Sequence, residues 1–390
     1  MTLTLRVACA LLLLCGTIWP AAPAPAQEAR FAPLLQPFVD SHSLAGAVTL
    51  VASKEKVLAL EAVGFADVAA GRPLATDSMF WIASMSKPIT GAAVMVLVDE
   101  GHVSVDDPVE KYLPEFRGQM VAVYQDDATK LLKKPRHPIT VRNVLAHTSG
   151  LPFASSVEQP TLDGLPLQAA TISYALTPLL FEPDTKYLYS NAGINTAGRI
   201  VEVVSGMPFE RFVEERLFQP LGMTDTTFWP DERQLARLAK SYRPKPGAEA
   251  PELEAFEIKQ LRSPLSDRAT RHPMPAGGYF STASDVGRFC RMLLNGGELD
   301  GRRVLSEGGV RQLTSRQTPE GIKEGYGLGF STNGTSFGHG GAHATNMTID
   351  PSTGLATVWM VQHAGYPGDG GKAQGEFQKA AQAAFGRRPE

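Results

Sequence analysis

The chain has 390 residues, 43% of them hydrophobic and 20% charged, and a formal net charge of −3 at pH 7. That is globular composition with length enough for two lobes around a large core, and the absence of a basic field argues against a nucleic-acid role. No glycine-rich dinucleotide fingerprint beside a βαβ pattern and no Walker loop occurs, so a nucleotide cofactor is not expected, nor any other cofactor.

Residues 1–26 read as a secretory signal: Arg6 is the positive start, Val7 to Ile18 the apolar core, and Ala24-Pro25-Ala26 a small-residue cleavage site. The apolar run is too short to span a bilayer, so an exported protein, periplasmic or extracellular, with no stable membrane anchor after cleavage is expected. Cys15 follows a leucine run as a lipoprotein cysteine does, but Leu14 is larger than such a site takes. Cys9 and Cys15 leave with the signal. Cys290 then stands alone, which rules out an intrachain disulfide and a cysteine-based zinc site.

Residues 27–390 read as a single domain. Phe31, Leu34, Leu35, Phe38 and Val39 mark an amphipathic helix. Gly46 to Val51 and Val57 to Val63 then form a hairpin about Lys54-Glu55-Lys56. Ile89, Ala93, Val94, Val96 and Leu97 recur at helical spacing up to Glu100-Gly101, and Pro88, lacking a backbone donor, fits only the first turn. This helix therefore begins close to Ser84. Between 105 and 153 lie short helices and turns, including one from Ile139 to His147 with Thr140 as its cap. Residues 155–190 read as loop, Ile194 to Ser205 and Phe209 to Phe218 as helices, and 230–272 as a long excursion of the kind that often lids a cleft. A helix starts within Phe280 to Asp285 and runs through Leu294. Short strands follow at Tyr326–Phe330, Gly334–Phe337, Asn346–Asp350 and Ala356–Gln362, then a last helix from Gln374 to Ala384. The expected fold is α+β: a largely antiparallel sheet flanked by helices, built from both ends of the chain (about 28–80 and 275–390), with a helical lobe (about 84–274) inserted.

The chemistry centres on Ser84-Met85-Ser86-Lys87. Residues three apart share a helix face, so the Lys87 amine comes within reach of the Ser84 hydroxyl. The helix N-terminus supplies N–H groups that favour developing negative charge. A nucleophile needs just those two things, a base beside the hydroxyl and donors for the oxyanion. Ser-x-x-Lys alone arises often by chance. Two more pieces follow it in order: Tyr189-Ser190-Asn191, in a turn ahead of the Ile194 helix, and His339-Gly340-Gly341, at a strand edge near the C-terminus.

This series resembles the serine β-lactamase and penicillin-binding-protein superfamily, and within it the branch of class C β-lactamases, D-alanyl-D-alanine carboxypeptidases and family VIII-like esterases. His147-Thr148-Ser149-Gly150-Leu151-Pro152, Pro220-Leu221-Gly222-Met223, Ala276-Gly277-Gly278-Tyr279-Phe280-Ser281-Thr282 and Tyr326-Gly327-Leu328-Gly329-Phe330 look like the same branch. The likeness runs from about residue 30 to about 365. It implies a β-lactamase/transpeptidase-like fold with Ser84 as an acylated nucleophile and Lys87 and Tyr189 sharing the general-base work. It also implies that Asn191 holds the substrate amide or Lys87, that His339 and Gly341 lie on the edge strand at the substrate, and that the N–H groups of Ser84 and Ala342 form the oxyanion hole. Free lysine and tyrosine both titrate near 10, and packing the two together beside a third cationic neighbour is expected to let them depress one another and titrate as a unit.

The β-lactamases usually carry Lys-Thr-Gly where this chain has His339-Gly340-Gly341. Gly340 lacks the hydroxyl that helps hold a substrate carboxylate, and a neutral His339 would weaken that anchor further. Small uncharged esters or amides, a short-acyl ester first, are thus the expected substrates. A D-alanyl-D-alanine carboxypeptidase, a D-aminopeptidase or a weak β-lactamase stands as the alternative, with a cell-wall peptide or β-lactam as ligand. A catalytically silent binding or scaffold protein is the alternative of another class. Two decoys are set aside. Gly334-Thr335-Ser336-Phe337-Gly338 matches the α/β-hydrolase elbow but has another strand, not a helix, after it. His339 and His343 have a metal-like spacing but glycines between them and no carboxylate, so no metal is expected.

Overall fold

The computed structural model describes residues 31–126 and 128–387. The signal expected at 1–26, Cys15 included, lies outside the described residues. The continuous apolar run from Gly46 suits a strand only where both its faces are covered. It forms β1 (Gly46–Ala52), buried at every position, and pairs with β2 (Val57–Asp67) in the expected hairpin. With β3 (Arg72–Pro73), β4 (Ser331–Thr332), β5 (Phe337–Gly340), β6 (Asn346–Asp350) and β7 (Leu355–Met360) they make one sheet in the order β4-β5-β6-β7-β1-β2-β3. All its pairings are antiparallel.

Six helices position the sheet and the site: α1 (Ala32–Asp40), α2 (Ser86–Asp99), α3 (Val141–Leu145), α4 (Asn191–Ser205), α5 (Ala283–Leu294) and α6 (Ala373–Phe385). Because side chains alternate across a strand, β1 sends Ala47 and Val51 to one face and Val48 and Leu50 to the other. The first face is covered by α1 and α6, from opposite ends of the chain, with Phe31 and Phe377 edge-to-face at 5.1 Å. The second meets α5, where a Cβ on Gly287 would stand 2.8 Å from Leu50. Each large apolar side chain so buried contributes roughly 1.5–3 kcal/mol. Helix α2 packs against α4 and against a helix at Glu307–Thr314.

The structure corrects several boundaries. Tyr326–Phe330 is not a strand. Its glycine–apolar alternation imitates period two, but Gly329 has φ 91°, Gly327 N donates to Phe330 O, and the segment turns into the core. Gly334–Phe337 is likewise a turn up to Phe337, with the Asn333 side chain accepting from the N–H groups of Thr335 and Ser336. Helix α4 starts at Asn191 because Ser190 caps it, accepting from Gly193 N at 2.9 Å. Helix α3 has the expected Thr140 cap, in a full capping box, but ends at Leu145. The loop expected at 155–190 contains a helix at Leu167–Ala175, and the Glu307–Thr314 helix was not expected at all. Phe209–Leu221 is one helical run with a π-helical turn at Glu214–Phe218.

The 230–272 excursion is pinned rather than loose. It holds a hairpin, Ser241–Pro244 with Leu253–Phe256, and Arg271, whose guanidinium is buried with the Asp163 carboxylate at 2.7 Å. Removing one partner of such a pair leaves a buried charge unmatched, at about 3–5 kcal/mol.

One close approach gives a test against local propensity. A Cβ on Gly91, in the middle of α2, would fall 2.1 Å from the Leu328 carbonyl oxygen. Alanine is the better helix former by about 1 kcal/mol. Gly91→Ala is nonetheless expected to destabilise the protein by about 1–3 kcal/mol in urea unfolding, because the clash is with backbone. A gain in stability would show that α2 does not pack as described.

Candidate active site

Phe80–Trp81 pairs with Phe280–Ser281, and between that short pair and α2 the chain makes a 3₁₀ turn, Ala83–Met85. Ala83 has φ 46°, a left-handed conformation unusual for a residue with a side chain. The turn is braced. Ser86 Oγ donates to Ala83 O at 2.7 Å and accepts from Tyr279 N at 3.3 Å, and Ile82 N donates to Tyr279 O. The second serine of Ser84-Met85-Ser86-Lys87 is therefore a structural brace that leaves Ser84 half-buried at the helix start.

Lys87 is fully buried, and its Nζ lies 3.1 Å from Ser84 Oγ, 2.8 Å from Asn191 Oδ1 and 2.7 Å from Ala276 O. Burial holds the amine well below the usual lysine range. Its Nζ also stands 4.6 Å from the centre of the Tyr189 ring. Burial pushes the Tyr189 hydroxyl up to about 12, with a hydrogen bond to Ser84 opposing the shift. The two groups thus move apart, Lys87 down and Tyr189 up. The expected mutual depression does not occur, because burial disfavours the charged amine and the charged phenolate alike.

Asn191, placed by the Ser190 cap in the first turn of α4, serves Lys87, one of the two partners the sequence suggested. His339 lies on β5, which is one strand in from the edge: two-residue β4 pairs with Phe337 and Gly338, so among the described residues no strand pairs with that side of β5 beside His339 and Gly340. The His339 ring is 6.1 Å from that of Tyr189. Its Nδ1 is 2.7 Å from Gly340 O, which can only accept, so Nδ1 carries the proton and Nε2 accepts from the Tyr326 hydroxyl at 2.9 Å. Burial, then the nearby Lys87 charge, lowers its pKa to about 3. At neutral pH both ring nitrogens are engaged and the ring has no charge. Gly341 abuts the turn of Ser84, since a Cβ there would fall 2.5 Å from Ile82 O. Ala342 is exposed, and its N–H has no hydrogen-bond partner among the described residues.

Two further side chains complete the cluster. Both sit in stretches that the family likeness had marked, without a role. Tyr326 is the partner of His339. His147, at φ 62°, accepts from Ser190 N at 3.1 Å, and its ring centre is 4.6 Å from those of Tyr189 and Tyr326. Ser336 and His343 do not join them. Ser336 is held in its turn by Asn333, and His343 bonds Ser241 and Gln362. Among the described residues no three His, Cys, Asp or Glu side chains converge as a metal site.

The sequence matches the profile described as Beta-lactamase over residues 31–381. The chain belongs to the beta-lactamase family. Within that family it is 35% identical over 365 residues to protein Rv1367c of Mycobacterium tuberculosis, covering 83% of this chain and 87% of that one. It is 33% identical over 265 residues to esterase EstB of Burkholderia gladioli, covering 62% and 64%. The fold matches that of EstCE1, a hydrolase with promiscuous acyltransferase activity, with a TM-score of 0.74, 22% identity, and 90% and 97% of the two chains covered. The beta-lactamase fold, a large antiparallel sheet with flanking helices, is therefore established for this chain, as is its place among serine hydrolases with esterase relatives.

Buried histidines give the folded protein a pH dependence. His147, His339, His343 and His363 are all held below the ordinary value by burial, His339 to about 3 and His363 to about 4. Below about pH 6.5 the unfolded chain takes up protons that the folded one refuses. Their contribution is complete above that pH and is lost as pH falls towards the folded values. The urea midpoint is expected to drop on going from about pH 7.5 to about pH 5, and His363→Gln should flatten that slope. An unchanged slope in the variant would contradict the assignment.

Proposed function

We propose that the chain is an exported serine hydrolase that cleaves small uncharged carboxylic esters, short-acyl esters first, through an acyl-enzyme on Ser84. The observation that carries this reading is the buried Lys87 amine 3.1 Å from Ser84 Oγ. Asn191 Oδ1 and Ala276 O can only accept, so they take two N–H bonds of a neutral amine and turn its lone pair towards the Ser84 hydroxyl. As Oγ bonds to the ester carbon, its proton passes to Lys87 Nζ. The carbonyl oxygen gains charge against the N–H groups of Ser84 and Ala342. Collapse breaks the bond to the alcohol oxygen, which takes the proton back from Lys87 through the Tyr189 hydroxyl. A hydroxyl with a pKa near 12 is suited to that donation. Water then repeats the sequence on the acyl-enzyme.

The preference for uncharged esters rests on His339. A neutral ring with both nitrogens engaged offers no cation to a substrate carboxylate, and Gly340 offers no hydroxyl. The esterase named among the relatives supports the same choice. The cleft is read as lying between the sheet lobe and the helical lobe. Export rests on the signal pattern of 1–26, and no described helix is long and apolar enough to cross a membrane.

Turnover of p-nitrophenyl butyrate, with fluorophosphonate labelling read by intact mass, tests the proposal. Ser84→Ala should lose both, Lys87→Met should lose about 10²–10⁴-fold in kcat, and Ser336→Ala should keep both. Activity should rise with pH as Lys87 sheds its proton, in a range well below about 10.4. Labelling that survives Ser84→Ala would overturn the mechanism. Faster turnover of a D-alanyl-D-alanine peptide or a cephalosporin would overturn the substrate class.

A further inference from the structure

Behind the nucleophile turn, which Tyr279 braces through its backbone, lies a cavity of about 540 Å³ lined by none of Ser84, Lys87, Tyr189, Asn191 and His339. Its wall includes Tyr279, whose ring is buried and whose hydroxyl has no hydrogen-bond partner among the described residues. A buried hydroxyl left unmatched costs about 1–3 kcal/mol, so its retention asks for an explanation. Phe228 stacks on the Tyr279 ring at 3.8 Å and Phe218 meets it edge-on at 5.3 Å. Trp229 extends the aromatic wall beyond Phe228 and already carries a cation, the Arg268 guanidinium, 4.8 Å from its ring centre.

Acidic side chains share the lining. Glu210, Glu214 and Phe218 are spaced four apart along one helical run, and all three line the cavity. The run takes its π-helical turn over Glu214–Phe218, a distortion that natural helices carry mostly at functional sites. Both carboxylates lie close enough to Tyr279 for their charge to oppose ionisation of its hydroxyl. The Glu210 carboxyl is itself pushed up, first by burial and then by the charges of Glu202 and Glu214, against the opposing pull of Arg268.

We propose that this cavity is a second binding site, for an organic ammonium ion carrying an apolar body. Such a ligand would place its N–H donors on Glu214, Glu210 and the Tyr279 oxygen, and its hydrocarbon against Phe218, Phe228 and Trp229. Aromatic faces attract a cation, and an ammonium matches the acceptors that are left over. An anion would meet two carboxylates, and a neutral apolar molecule would leave the tyrosine hydroxyl unmatched.

The test is isothermal titration of the purified protein with 2-phenylethylammonium, beside its uncharged counterpart 2-phenylethanol. One saturable site per chain is expected. Affinity should fall about tenfold or more for the alcohol, in Glu214→Gln and in Tyr279→Phe, the loss of one charge-assisted hydrogen bond each. Tyr279→Phe should hold or raise the thermal midpoint, because the hydroxyl it removes has no partner. Should that variant fail to fold, Glu214→Gln, altered at an exposed position, decides alone. Equal affinity for amine and alcohol, an affinity unaltered by these substitutions, or no saturation would each overturn the proposal.

Discussion

The site is built around one amine taken out of water. Lys87 Nζ sits among Ser84 Oγ, Asn191 Oδ1 and Ala276 O, and each of those atoms comes from a different part of the chain. Helix α2 brings the lysine one turn after the serine, α4 brings Asn191 in its first turn, and the strand-flanking turn at 275–279 brings the carbonyl. Placing a lysine there costs desolvation energy, and the cost falls on the charged form only. The fold thus holds the amine well below the usual lysine range by burying it among groups that can accept but not neutralise it, which is what the proposed base requires.

The same logic runs through the neighbours. His147 and His339 are buried close to Lys87, and burial first, then the Lys87 charge, holds both rings below the ordinary value, against the opposing pull of the Gly340 carbonyl on His339. Tyr189 is kept as a phenol. A cluster in which burial disfavours every charged form leaves the developing charge of a reaction to be met by backbone donors in a medium where such bonds are strong. At His339 and Gly340 it presents neither a cation nor a side-chain hydroxyl.

How much of this the chain declares in advance depends on distance along it. The Ser84–Lys87 spacing, Pro88 in the first turn, the Thr140 cap and the β1–β2 hairpin are local signals, and they hold. Signals fail where a local pattern is overruled from afar. The alternation of Tyr326 to Phe330 reads as a strand but turns inward around Gly329 because α2 is waiting for it at Gly91. Asp163 and Arg271 are 108 residues apart and make one buried pair, so a stretch that reads as loose excursion is fixed. The direction in which Tyr189 shifts is a sum over everything packed around it, and no spacing of residues carries that sum. The roles of Tyr326 and His147 were hidden for the same reason. Both lay in recognisable stretches, and only their mutual contacts show what they hold.

The central claim is that burial holds the Lys87 amine well below the usual lysine range so that it can serve as the base, and its own titration tests that most directly. With lysine labelled at Cε, the resonance lost in Lys87→Met identifies the residue, and its shift is followed against pH. A midpoint well below the usual value of about 10.4 is the predicted result. An ammonium signal that persists unchanged to about pH 9 would contradict it, and Lys87 would then be a fixed positive charge beside Ser84 rather than its base.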